Sequence, residues 1–319
     1  MRYDQNDQGS SNVEDRRGQR GGGMPGGIQI PIGGGGMGLM PMLIIGALML
    51  LFGINPLDIL TGGRGGGGQV EMPQMPRMEP QSRQAGGPNI PGLPGGTQRS
   101  PVPAGKDDMG LFVSRVLKDT EDVWERVFQS FGRRYVKPQL VLFTGATRTA
   151  CGVGQAAMGP FYCPADQKIY IDLAFYDELK RRFNAPGDFA QAYVIAHEVG
   201  HHVQTLLGIS DRVQQMKARA GQRQSNAIQV RMELQADCLA GVWAALNHQM
   251  KNRIEQGDIE EGLNAAAQIG DDMMQKRSQG YVVPDAFTHG SAEQRQRWFK
   301  RGLSTGQIQQ CDAFSVQDP

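Results

Sequence analysis

The stretch AYVIAHEVGHHVQTLLG, Ala192–Gly208, sets His197, Glu198 and His201 in a run that is otherwise mostly apolar. On a helix, residues four apart are separated by only about 40° around the axis, so these two imidazoles share a face and can bind one tetrahedral cation. Glu198 is turned too far to be a ligand but is placed to reach a water on that cation. This is the H-E-x-x-H spacing, which suits one Zn2+ ion with a carboxylate as general base. A buried helix that merely carries stray polar residues would need no partners elsewhere in the chain. A catalytic zinc needs a third protein ligand and one open position.

A third His six residues beyond the second is ruled out, because Leu207 stands there. His202 points away around the helix and reads as a packing or outer-layer residue. The stretch MELQADCLAG offers Glu233 and Asp237, one turn apart on the next long helical segment. Their neighbours are apolar, and unpaired carboxylates would be costly to bury there. Glu233 would complete the coordination, and Asp237 would accept the distal N–H of a ligating imidazole. Downstream, His289 in DAFTHGS is a candidate to stabilise an oxyanion, with Asp285 to orient it and Tyr281 as the competitor. His248 reads as a residue of a helix C-terminus, favoured by the dipole.

HEVGH followed by ELQAD resembles the gluzincin metallopeptidases, whose third zinc ligand is a Glu in an E-x-x-x-D helix. FAQAYVIAHEVGHHVQ, ELQADCLAGVWA, CGVGQAAMGPFYCP, FTHGSAEQRQRWF and the N-terminal NVEDRR are together similar to the bacterial putative neutral zinc metallopeptidase family. The resemblance implies a zinc-dependent peptidase, read as an endopeptidase, with a peptide or protein substrate. THGS followed by Arg295 is similar to the downstream His segment of CAAX-prenyl-protease-like gluzincins, with Gly290 where those have Pro. The rival reading is a catalytically silent zinc-binding assembly or chaperone-like factor; retention of Glu198 favours the enzyme.

The elements that must position these residues lie in the second part of the chain. Of 319 residues, 44 are Gly, and most of these precede residue 110; the net charge of +1 gives no reason to expect nucleic acid. Residues 1–36 read as a disordered cytoplasmic tail, too polar and Gly-rich for a core. Residues 37–60 contain no charge before Asp58 and read as a transmembrane anchor, with Leu39–Ile54 its most apolar part. Arg2, Arg16, Arg17 and Arg20 precede it, a bias that places the N-terminus in the cytoplasm and the remainder outside the inner membrane of a bacterium. Residues 61–106 read as a Gly/Pro/Met-rich linker, in which Met72, Met75 and Met78 are part of the tether.

Residues 107–319 read as an α+β zincin-like domain, mostly helical, with a small antiparallel sheet. QLVLFTG and KIYIDLAF are its strands, the second being the edge along which an extended peptide would lie. Asp188 and Gly208 bound the histidine helix as N-cap and stop; Asp258 with Glu261, and Ser291 with Gln294, read as capping boxes. Cys151, Cys163, Cys238 and Cys311 form no C-x-x-C pair. Outside the cytosol they allow three pairings, of which Cys151–Cys163 would close the inter-strand loop and Cys238–Cys311 would tie the tail to the Glu233 helix.

Overall fold

The computed structural model describes residues 1–18 and 107–319, which belong to one compact unit. The apolar run and the linker with its three methionines lie outside the described residues. Among the described residues no helix is long and apolar enough to cross a membrane. The architecture is α+β and mostly helical. β1 (Val13–Asp15) is followed by α1 (Asp108–Ser130), β2 (Gln139–Phe143), β3 (Ala146–Thr149), β4 (Gly152–Gln155), β5 (Phe161–Cys163) and β6 (Lys168–Asp172). Then come α2 (Ala174–Arg181), α3 (Asp188–Leu206), α4 (Ile209–Ala218), α5 (Gln222–Lys251), α6 (Asp258–Gln268), α7 (Asp271–Gln279) and α8 (Ala292–Thr305).

The main sheet has the order β1-β2-β6-β5, with β1, β2 and β6 parallel and only β5 antiparallel to its neighbour. It is therefore a mixed sheet and not the antiparallel one expected. The reason is visible in LVLF, a continuous apolar run and not an alternating one, which suits a strand covered on both faces. Leu140 and Leu142 enter the helical core, while Val141 and Phe143 pack with Cys163 and Tyr170 on the other side. β6 lies between β2 and β5 and so is not an edge; the edges are β1 and β5. The connection between β2 and β6, read as turns alone, also holds the β3–β4 hairpin and β5, whose Gly-rich sequence hides their pairing.

Residues 1–18, expected to be disordered, are folded onto the domain. Composition misleads there because the few apolar residues are all used and the charges are paired. Met1 is buried, Tyr3 and Val13 pack against the core, and the Tyr3 hydroxyl donates to Asp119 at 2.9 Å. β1 pairs with β2 from Val13↔Leu140 to Asp15↔Leu142. Ser10 Oγ and Asn12 Nδ2 both donate to the buried Glu121, and Arg253 clasps Asp7. The domain thus does not begin at residue 107.

Helix boundaries follow glycine more than side-chain caps. Gly187 and Gly257 occupy the N-cap positions of α3 and α6, so Asp188 and Asp258 sit one residue inside and make no capping box. Both instead face the Met1 ammonium, at 2.6 and 3.1 Å. The Ser291–Gln294 capping box is present. The segment that starts at Asp258 breaks at Gly270 into α6 and α7, and the backbone there runs against Ala292. Both disulfides, Cys151–Cys163 and Cys238–Cys311, have the expected pairing.

The helices that carry the candidate site are brought together by backbone contact. α8 lies against α5 at Gly302, where a Cβ would stand 1.9 Å from the Cys238 carbonyl oxygen. Neither helix can yield without moving its whole axis. Gly302→Ala is expected to lower stability by about 3 kcal/mol or more through overpacking. Gly221→Ala, where no atom lies within 4 Å of the added methyl, should cost only about 1 kcal/mol or less, as the loss of a favoured N-cap residue, both measured by denaturant unfolding of the full chain.

Candidate metal centre

α3 and α5 cross at Gly200, where a Cβ would lie 3.0 Å from the Ala236 carbonyl oxygen. That close approach sets the faces carrying His197/His201 and Glu233/Asp237 opposite one another. His197 Nε2 lies 3.1 Å from Glu233 Oε2, and His201 Nε2 lies 3.3 Å from the same oxygen. Two donors on one tetrahedral zinc, each at about 2.0–2.1 Å, are about 3.3 Å apart. The two rings stand nearly perpendicular, at 86°.

The tautomers decide what can sit between them. His197 Nδ1 is 2.8 Å from Asp237 Oδ1, and His201 Nδ1 is 2.8 Å from Gln204 Oε1. Both partners are acceptors, so each Nδ1 carries a proton and Nε2 is the ring atom left to face the Glu233 carboxylate. There it donates when the ring is protonated, and in a neutral ring its lone pair needs a cation between it and the anion. Burial alone would depress the His197 pKa, but Asp237 and Glu233 outweigh it and raise it to about 10; His201 is raised in the same way, chiefly by Glu233. The site therefore calls for positive charge. A two-nitrogen, one-oxygen set fits zinc in its catalytic form. The remaining Glu233 oxygen, Oε1, accepts from Gln229 Nε2 at 2.7 Å, which leaves Oε2 to face the histidines.

Behind the histidines lie two buried networks. Asp237, fully buried, receives the Arg295 guanidinium as a bidentate pair at 2.8 and 2.9 Å, and the Tyr193 hydroxyl as well. Burial pushes the Asp237 carboxyl up, but Arg295 and His197 hold it down at about 2. On the other side, Gln204 Nε2 donates to Gln235 Oε1 at 3.0 Å and to the Met232 carbonyl at 2.8 Å. Gln235 in turn donates to the Cys311 carbonyl at 2.9 Å, next to a disulfide. Sequence reasoning assigned none of Tyr193, Gln204, Gln235 or Arg295 a role. Tyr193 and Gln204 lie one helical turn from His197 and His201, so a search along that face would have found them.

Glu198 is 7% exposed, and burial raises its pKa. Among the described residues none donates a hydrogen bond to its carboxylate, which leaves it free to take a proton. His202 is turned away: Tyr162 Oη lies 3.1 Å from its Nδ1, and its Nε2 donates to the Val136 carbonyl. Burial lowers its pKa to about 4, so it packs as a neutral ring.

His289 Nδ1 is 3.2 Å from Asp271 Oδ1, not on Asp285 as expected. Asp285 is turned outward onto Arg223 at 2.9 Å. Asp271 suits the task better, because its Oδ2 also accepts the backbone N–H groups of Thr288, His289 and Gly290 and so fixes the turn. No local spacing announces it, 18 residues upstream. The Asp271 and Glu233 charges raise the His289 pKa against the opposing effect of burial. Tyr281 stands 62% exposed beyond the end of α7. His248 Nδ1 accepts the Ile254 N–H at the end of α5, about 22 Å along the helix from Glu233.

Replacing an acceptor behind a ligating imidazole is expected to weaken metal binding without removing a ligand. Gln204→Leu should lower zinc affinity by about 10- to 100-fold, measured by competition with a chromogenic chelator. His248→Ala should bind zinc as the parent does.

The sequence matches the family described as putative neutral zinc metallopeptidase over residues 1–314. It is 46% identical over 309 residues to the uncharacterized protein YpfJ of Escherichia coli K12, covering 96% of each chain. It is 40% identical over 221 residues to the uncharacterized protein Mb2605 of Mycobacterium bovis, covering 66% of this chain and 74% of the relative. No solved structure matches. The match reaches both the N-terminal strand and the three helices that carry the site, and on that ground the chain belongs to the putative neutral zinc metallopeptidase family.

Proposed function

We propose that the protein is a zinc-dependent peptidase that hydrolyses internal peptide bonds. The observation that carries this reading is the convergence of His197 and His201 Nε2 on one Glu233 oxygen while both Nδ1 atoms are held by acceptors. Zinc, when bound by His197, His201 and Glu233, supplies a Lewis acid and brings the pKa of a bound water down to about 7.

The chain's own residues would do the rest. Glu198, with its pKa raised by burial, takes the proton from the attacking water and returns it to the leaving amine. Asp237 and Gln204 keep the two imidazoles in the tautomer that leaves Nε2 free. His289, oriented by Asp271, donates a hydrogen bond to the carbonyl oxygen as negative charge develops on it. An extended peptide would add to the β5 edge, Phe161–Cys163, in place of the interior strand β6. The two disulfides suit work in an oxidising compartment, outside the cytosol and at the inner membrane of a bacterium.

Cleavage of a quenched peptide library by the full chain tests the reading. Glu198→Gln should keep its zinc and lose at least about 10³-fold in turnover, and His289→Ala should lose about 10²- to 10³-fold in kcat with little change in KM. Equal cleavage by the parent and Glu198→Gln, or none by a fully zinc-loaded parent, would contradict it.

A further inference from the structure

We propose that Met1–Gly18 and Asp107–Pro319 lie on the same side of the membrane, so that the N-terminus is part of the peptidase domain and not a tail in the opposite compartment. The inference goes beyond the catalytic reading and does not depend on it. Its basis is that the two segments form one folded body. β1 supplies three successive residue pairs to β2, with Leu140 N donating to the Asn12 carbonyl at 2.9 Å and Arg16 N to the Leu142 carbonyl at 2.8 Å. Arg17 reaches Asp107 at 2.7 Å, so the chain leaves and re-enters the body at one place. Further along, Arg253 is shared between Asp7 and the buried Asp119, and Arg2 N donates to the Arg253 carbonyl at 2.9 Å.

A bilayer with a hydrocarbon core of about 30 Å cannot stand between strands that share hydrogen bonds. A single crossing by the intervening chain would place it there. Two crossings need about 20 apolar residues each, more than Leu39–Ile54 and its flanks provide. A single crossing of the membrane between Gly18 and Asp107 is therefore incompatible with the pairing of β1 and β2.

Three of the four arginines that argued for a cytoplasmic N-terminus are bound within the folded domain. Arg16 pairs with Glu14 at 2.7 Å, Arg17 with Asp15 and Asp107, and Arg2 donates to the Asn252 carbonyl.

Two single-cysteine variants of the full chain test this, Gln5→Cys in the exposed Asp4–Asp7 turn and Arg181→Cys, whose side chain is 78% exposed on α2. The four native cysteines are paired in the structure, and the parent chain labelled in parallel sets the background. Each variant is treated with a membrane-impermeant maleimide in spheroplasts, then after the inner membrane is opened, with zinc content checked to verify folding. The expected result is equal labelling of the two sites at each stage, relative to detergent-solubilised protein. Labelling of both in spheroplasts puts the domain outside, and protection of both until opening puts it inside; either supports the shared side. Labelling of one site in spheroplasts and of the other only after opening would overturn the proposal.

Discussion

Asp237 is the carboxylate on which three helices converge. From α5 it accepts the His197 ring and the Tyr193 hydroxyl of α3 and both guanidinium contacts from Arg295 of α8. A buried ion pair is a poor source of stability, because desolvating both groups costs about as much as their attraction returns. Losing one member, however, strands the other charge in the core at a cost of about 3–5 kcal/mol. The arrangement therefore fixes geometry more than it adds stability. It forces α3, α5 and α8 into one relative placement, and that placement orients the His197 ring. The close helix contact at Gly302 serves the same constraint, since a methyl group there would push α8 off α5, and the tight approach at Gly200 leaves only a few tenths of an ångström to give.

The second histidine is held from the opposite direction. His201 leans on Gln204, Gln204 on Gln235, and Gln235 on the carbonyl of Cys311. Cys311 is bonded to Cys238, which lies one residue after Asp237 on α5. A crosslink spanning 73 residues contributes about 4 kcal/mol by restricting the unfolded chain. It also anchors the far end of the relay, so the C-terminal segment takes part in the site without approaching the ligands. The two imidazoles are thus fixed through separate networks that meet on one helix.

The parts of this arrangement that repeat along one helix were legible in the sequence. His197, His201, Glu233 and Asp237 lie on two helix faces at intervals of four, and the apolar surroundings of Glu233 pointed inward. The Ser291–Gln294 capping box and the two cysteine pairings were legible for similar reasons, since each is local or limited by count. What was not legible depends on long-range packing. Asp271 reaches His289 only because the chain breaks at Gly270. β6 became an interior strand because β1 and β5, each only three residues long, lie on either flank of the β2–β6 pair. The N-terminal segment looked disordered by composition, yet nearly every charged residue in it finds a partner far along the chain or within its own turn. Composition measures the average environment, whereas a folded edge strand needs only a few well-placed contacts.

The proposed centre holds one zinc ion between two imidazoles and a carboxylate, with the cysteines excluded from it. Zinc K-edge X-ray absorption of the purified full chain tests this most directly. The account predicts one zinc per chain, a first shell of nitrogen and oxygen at about 2.0–2.1 Å with the multiple scattering of two imidazoles, and no sulfur at about 2.3 Å. A sulfur shell, or a zinc signal unchanged in Glu233→Ala, would contradict it.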